Sequence, residues 1–390
     1  MGCVWDNLLT RWCKQKPDWD FYHVCWQSAE RPHKTVEGYT KLPRKNVAQG
    51  YDTVVENIRK YNPDVLLTLC DVGFQSGFIE QVKIAKQMGW KGKWIAYTPV
   101  DTESWPHTWS TIFNYPDVNV AMAQFGEKQM NKYKVPNVVR IDHGVDLETF
   151  KPVEDRQALK TKYGFGEKFT IGFVGRNQRR KMLANLIKAF SIFAKDKDDV
   201  SLVLHTDAEP AAPTGGTSES AGFAGWSLPF LQEKYDVATK MALTKGELNV
   251  LTRQSITPAG INEIFNLMDV FCFATGGEGF GLPGIECQAA GCPIMMTEST
   301  TGHELTEGHG WRIPTLKDEY GDDVTDIGTN GVEFVYPNHK FIADKLEELY
   351  KDWKEGGKIL KEESKKSIDF AQGYNWDDLA PKWIELFESE

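Results

Sequence analysis

Between residues 65 and 141 the sequence alternates four short apolar runs with amphipathic stretches. The runs are 65–69, 94–97, 118–122 and 138–141, and between the first two Ile79, Val82, Ile84 and Ala85 mark a helix over about 77–88. Short, continuously apolar runs read as strands buried on both faces, and the intervening helices are the crossovers that parallel strands need. The pattern resumes with runs at 169–175, 201–205, 249–252, 270–274 and 293–297. Leu183, Leu186, Ile187, Phe190 and Phe193 recur at helical spacing after the first of these. A chain written this way folds as an α/β protein with parallel sheets covered by helices. Before these units the sequence predicts a helix to about residue 12, a strand at 21–26 and a helix at 51–61 closed by Asn62-Pro63. Helices at 343–353 and 377–387 end the chain.

At 390 residues the chain exceeds what one core usually organises, so two domains are expected. The break falls after His143-Gly144-Val145-Asp146 and Phe150-Lys151-Pro152, where a turn precedes a charged segment of weak periodicity, giving domains at 1–150 and 151–373. Lys and Arg total 45 against 55 Asp and Glu, a net charge of -10 that argues against nucleic acid as a partner. The seven cysteines are odd in number and none has CxxC spacing, so reduced thiols in a cytoplasmic protein are expected rather than disulfides or a zinc ribbon. No apolar run approaches the ~18 residues of a membrane span, and no signal peptide opens the sequence. Lys83, Lys86, Trp90, Lys91, Lys93 and Trp94 mix cations with aromatics. That mixture leaves a peripheral contact with the inner face of a membrane open, beside the plainer reading of surface lysines over buried tryptophans.

Two segments point to chemistry. Gly276-Gly277-Glu278-Gly279-Phe280-Gly281-Leu282-Pro283 joins a buried strand to a helix carrying Pro283 in its first turn and ending near Gly291. Glycines there let backbone approach a ligand and aim free amides at an anion, although an ordinary tight turn has the same composition. The second segment, Gly175-Arg176-Asn177-Gln178-Arg179-Arg180-Lys181, gathers four cations where a strand gives way to a helix. The helix dipole disfavours positive charge at that end, so a negative partner is expected. Strand ends in open parallel sheets are where ligands bind, and a diphosphate suits two such turns facing one crevice. The Asp-x-Asp pairs at 18–20 and 196–198 read as surface turns, so neither a metal nor another cofactor is expected.

Together these residues resemble the retaining nucleotide-sugar glycosyltransferases of family 4, which have the two-domain GT-B fold. The match rests on Glu278 and Glu286 with seven residues between them, on Gly175, Arg176 and Lys181 as a G-R-x4-K segment, and on His143-Gly144-Val145-Asp146 with Phe150 and Pro152. A final helix containing Trp376 and Trp383 extends it. The resemblance implies two Rossmann-like domains, with residues 374–390 returning to the first, acceptor-side domain. It implies transfer of a sugar of the hexose type from a nucleoside diphosphate to a carbohydrate, lipid-linked or other hydroxyl acceptor. Arg176 and Lys181 would hold the diphosphate, with amides of Gly279, Phe280, Gly281 and Leu282. Glu286 would hold the ribose, and Glu278 the transferred sugar near its oxocarbenium-like carbon.

The same family places a polar group after a mid-domain strand of the first domain, and here Asp101 is the candidate, with His107 second and Asp71 third. Arg253, between Thr252 and Gln254, would line the base or phosphate pocket. Family members begin with a strand and a glycine-rich loop, whereas this sequence opens in the following helix, so the first strand is expected to be missing. Two alternatives stand beside transfer: a nucleotide-sugar epimerase of the same architecture, and a non-catalytic nucleotide-sugar binding protein.

Overall fold

The computed structural model describes residues 2–24, 31–46, 50–209, 225–244, 257–328 and 331–389. The chain divides into two units, Met1–Gly144 with Tyr374–Glu390, and Val145–Gly373. It crosses between them after Gly144 and again after Gly373.

The first described element is α1 (Gly2–Gln15), followed by β1 (Tyr22–Val24), β2 (His33–Lys34) and β3 (Thr40–Leu42). These strands form a small sheet of order β1-β3-β2, with β1 parallel and β2 antiparallel to β3. Then come α2 (Val54–Tyr61), β4 (Val65–Leu69), α3 (Val72–Gln87), β5 (Lys93–Thr98), α4 (His107–Phe113), β6 (Val118–Ala121), α5 (Gln124–Lys132) and β7 (Val138–Arg140). The four strands pair in parallel in sequence order. α2 stops where Asn62 turns left-handed at φ 43, just before Pro63. α3 starts earlier than its apolar spacing suggests, because Gly73 and Gly77 interrupt the pattern without breaking the helix. Trp90 and Trp94 are core residues whose indoles donate to the Pro63 carbonyl at 2.6 Å and to Thr68 Oγ1 at 3.0 Å. The tryptophans of that run therefore belong to the core.

The second unit runs α6 (Arg156–Lys162), β8 (Phe169–Val174), α7 (Leu183–Phe193), β9 (Val200–His205), α8 (Leu228–Lys234), β10 (Met241–Leu243), α9 (Pro258–Leu267), β11 (Val270–Phe273), α10 (Leu282–Ala289), β12 (Ile294–Thr297), α11 (Gly302–Leu305) and β13 (Trp311–Ile313). A hairpin of β14 (Thr325–Ile327) and β15 (Glu333–Val335) follows, then α12 (His339–Lys354) and α13 (Lys358–Ala371). The six-stranded sheet has the order β10-β9-β8-β11-β12-β13, parallel throughout. The chain thus winds outward from β8 to one edge, returns to β11 and winds to the other, which is the doubly wound Rossmann order. The edge beside β9 is taken by β10, and the strand expected at 249–252 lies outside the described residues. α13 has no clear sequence signal because only a narrow face, including Leu360 and Ala371, is buried, and the rest is lysine and glutamate.

Asp269 ties the second unit together. It is 6% exposed, and its Oδ2 accepts from Lys160 Nζ at 2.7 Å and from the Thr170 amide at 2.7 Å. Its Oδ1 accepts from Arg156 at 2.8 Å, so α6 is tied to the first residues of two central strands.

α14 (Trp376–Glu388) belongs to the first unit and lies on α1. The Trp12 indole donates to the Ala380 carbonyl at 3.2 Å, and Trp383 is wholly buried with its ring 4.7 Å from that of Tyr97. The Tyr97 hydroxyl in turn sits 3.0 Å from the Ile141 carbonyl and 2.5 Å from His143 Nδ1. A neutral imidazole protonated at Nδ1 satisfies both contacts, donating to the phenol oxygen while the phenol donates to the carbonyl. Among the described residues no helix is long and apolar enough to cross a membrane, and Cys13, Cys70, Cys272, Cys287 and Cys292 are free thiols.

Two predictions follow from these buried polar groups. Asp269→Ala leaves Lys160 buried without its carboxylate, and urea unfolding should show a loss of about 3–5 kcal/mol, partly recovered in the double variant with Lys160→Met. Burial holds His143 at about 3, below the 6.5 ordinary for an imidazole. The unfolded chain therefore takes up a proton that the folded chain refuses, and stability falls as pH drops from about 6.5 towards 3, by about 1.4 kcal/mol per pH unit from this residue. His143→Gln should flatten that slope in calorimetric scans across the window.

Candidate functional site

Where the strand order reverses, between β8 and β11, the two outgoing chains part and leave a crevice at the strand ends. Both segments singled out in the sequence leave the sheet there. After β8 the Gly175 amide still donates to the His205 carbonyl at 3.1 Å, and a 3-10 turn at Arg179–Lys181 then leads into α7. After β11 the chain bends through Thr275–Gly281 into α10. The two turns are joined directly, since the Gly276 amide donates to the Arg180 carbonyl at 2.7 Å. A Cβ on Gly276 would stand 2.6 Å from the Val335 carbonyl oxygen, so the turn passes β15 at a distance only glycine allows.

Glu278 and Lys181, separate candidates in the sequence, meet in a buried ion pair; they are 4% and 6% exposed. Arg180 joins them, with Nη1 2.8 Å from the same carboxylate oxygen and 2.7 Å from the Gly277 carbonyl. Thr275 Oγ1 donates to that oxygen at 2.7 Å. Burial alone would raise the Glu278 carboxyl, and the two cations overcome it, holding it at about 2. Sequence reading passed over Arg180 because the resemblance selects only Arg176 and Lys181 from the basic run; its place in a run of four cations was the available signal.

This pairing revises the charge argument. Two of the four cations are already answered by Glu278, and Arg179 lies 3.7 Å from Asp326 with its guanidinium 5.3 Å from the centre of the Trp226 ring. Arg176 is exposed and has no hydrogen bond or ion pair among the described residues. Beside it Asn177, 6% exposed, donates to the carbonyls of Asp207 and Trp226 at 2.9 and 2.7 Å and accepts from the Trp226 amide at 2.8 Å. It thereby fixes both ends of the segment that sequence reading took for a long loop, whose interior lies outside the described residues.

Gly281 caps α10 in a left-handed conformation, φ 96, with Leu282 and Pro283 in the first turn and Phe280 buried behind it. Its backbone turn is open to glycine and strained for other residues. Glu286 lies one turn into the same helix, half-buried and without a partner among the described residues. Burial pushes its carboxyl up to about 8. A carboxyl with no internal partner is ready to hydrogen-bond a ligand hydroxyl. Arg253 lies outside the described residues. In the first unit Asp101 is half-buried on the loop after β5, His107 is exposed at the start of α4, and Asp71 precedes α3.

Residues 155–367, more than half of the chain and all within the second unit, match the family described as Glycosyl transferases group 1. The capsular polysaccharide biosynthesis glycosyltransferase CapM of Staphylococcus aureus is 26% identical over 212 residues, covering 54% of this chain and 44% of CapM. The chain spans about half or less of the length of the curated relatives it matches. Sucrose-phosphate synthase from Thermosynechococcus elongatus superposes with a TM-score of 0.69 at 15% identity, covering 97% of this chain and 90% of that one. HepE of Anabaena, solved in complex with UDP-glucose, gives 0.63 at 14% identity, covering 87% and 82%. Both likenesses are of fold, and the neighbours are GT-B proteins with parallel α/β sheets.

The ion pair has a measurable consequence. Lys181→Met leaves Glu278 to Arg180 and Thr275, and urea unfolding near pH 7 should show a loss of about 3 kcal/mol, reduced when Glu278→Gln is added. Because the carboxyl is held at about 2, below the 4.5 ordinary for a glutamate, its contribution is present above 4.5 and is lost as pH falls towards 2. The single variant should accordingly lose less stability on acidification through that window than the parent does.

Proposed function

The chain belongs to the group 1 glycosyl transferases, and on that premise we propose that it moves a sugar from a nucleoside diphosphate to a hydroxyl acceptor with retention of anomeric configuration. The observation that carries the proposal is the exposed guanidinium of Arg176 after β8, at the switch point of the second sheet, with no hydrogen bond or ion pair among the described residues. A cation there, near the N-terminal turn of α10, suits the negative charge of a diphosphate diester.

In this reading Arg176 binds the diphosphate, and Arg180 and Lys181 supply further cations as negative charge grows on the leaving phosphate. Backbone amides at 279–282 add donors, which is stabilisation of a leaving group by fixed charge and needs no metal in this account. Glu286, without a protein partner, takes the ribose diol. Glu278, already ionised, faces the sugar and stabilises its developing oxocarbenium character. The bond between the anomeric carbon and the phosphate oxygen breaks with its electron pair going to phosphate. The acceptor oxygen attacks from the same face, and its proton passes to the departing phosphate oxygen. The role that the resemblance gives Asp101 is tested separately by Asp101→Asn. HepE's complex with UDP-glucose supports trying a uridine donor first.

The test is thermal unfolding with UDP, GDP, ADP and their hexose conjugates. Ligand at a hundred times its dissociation constant should add about 2.7 kcal/mol, a rise of a few degrees in Tm. Arg176→Ala should abolish the shift while leaving the unliganded Tm within about a degree, since exposed substitutions away from special features cost little. Absence of any shift in the parent would defeat the donor reading. With the nucleotide known, NMR of the glycosylated product would read the anomeric configuration, and inversion would defeat the retaining mechanism.

A further inference from the structure

The carboxylate at the centre of the site is anchored from a third side that the sequence did not signal. The Glu278 amide donates to Thr300 Oγ1 at 2.9 Å, and Thr300 is 2% exposed, on the turn between β12 and α11. Thr300 has φ 49. A left-handed backbone is costly for any residue with a Cβ and rare for a β-branched one. The turn is held there from both ends: the Gly302 amide donates to Ser299 O at 2.8 Å, and a Cβ on Gly302 would lie 1.9 Å from the Thr297 carbonyl oxygen. Met182, the residue after Lys181, is also left-handed at φ 48 and 2% exposed. Two non-glycine residues in this conformation thus flank one buried ion pair. Strain of this kind persists where surrounding structure over-determines it, and it gathers where a group must be held in one place.

We propose that Thr300 is a positioning residue for Glu278: its hydroxyl, presented by the left-handed turn, fixes the Glu278 amide and so sets where the carboxylate meets the transferred sugar. The proposal rests on the donor reading above and adds a role which that reading does not require. A hydroxyl that accepts from the amide fixes the backbone at the base of the side chain, while Arg180, Lys181 and Thr275 hold the tip. The orientation of Glu278 is thereby set at both ends. Because the diphosphate is assigned to other residues, a loosened Glu278 should affect the sugar more than the nucleotide.

Thr300→Val keeps the shape and removes the acceptor, and Thr300→Ser keeps the acceptor. Amide hydrogen exchange over 276–281 should speed about tenfold in the Val variant and stay within about twofold of the parent in the Ser variant, the size of effect expected from one hydrogen bond. Binding should be compared for the nucleotide and nucleotide-sugar pair that stabilises the parent, drawn from UDP and UDP-glucose, GDP and GDP-mannose, and ADP and ADP-glucose. The Val variant should lose about tenfold in affinity for the nucleotide-sugar with the nucleotide unchanged, and Ser should restore it. If Val does not fold, Thr300→Gly, which relieves the strain and also lacks the hydroxyl, takes its place. Unchanged exchange in Val or Gly overturns the proposal, and so does a parallel loss for nucleotide and nucleotide-sugar, which is what a general loosening would produce. A parent that binds none of the pairs defeats the donor reading and the sugar-positioning role with it. Intact parental binding without a difference between Ser and Val defeats the role of Thr300 alone.

Discussion

A carboxylate taken out of water is unfavourable unless cations meet it, and at the head of the second sheet Glu278 is met by both Arg180 and Lys181. That contact needs the chain after β8 and the chain after β11 to arrive at the same place, which only the reversal of strand order between them provides. The glycine turn, the basic 3-10 turn and the hydroxyl of Thr300 are all arranged around this pairing. It also decides which charges remain for a ligand. With Glu278 answered from within, the exposed guanidinium of Arg176 is the cation that an incoming anion meets without first displacing a protein partner.

The two glutamates of the site show how environment separates chemically identical groups. Both carry a burial penalty, but Glu278 sits against two cations and is held at about 2, whereas Glu286 has no such neighbour among the described residues and is pushed up to about 8. One is a fixed negative charge at neutral pH. The other is largely a neutral carboxyl that can both donate to and accept from a hydroxyl. Their spacing in the sequence is compatible with many arrangements, and the division of labour appears only once α10 places one before its first turn and the other within it.

The candidate site was legible to the extent that its residues sit at local signals. Glycines at 276, 277, 279 and 281 before Pro283 announce a strand-to-helix turn, and four cations in six residues announce an unusual helix approach. Thr300 gives no such sign, because a threonine after a strand is ordinary and its left-handed backbone belongs to a turn closed by the contacts of Gly302 with Thr297 and Ser299. In the fold, β4 to β7 were legible because buried parallel strands are short, uniform apolar runs. α6 and α13 were not, since lysine-rich helices with a narrow buried face carry little periodicity. β10 carried no sequence signal, because three residues with a single apolar face give little for pattern reading to hold.

The sequence by itself determined the class of the fold, the alternation of strand and helix, and the two turns from which ligand chemistry would come, since each is written in local propensity and spacing. The tertiary structure alone decided which charges cancel and which stay available. It brought Lys181 and Glu278, ninety-seven positions apart, into one buried pair and recruited Arg180 to it. It also set the neutral Glu286 apart from the ionised Glu278. The physical reason is that electrostatic energy depends on distance and burial, and neither is written along the chain until the strand order brings distant segments together.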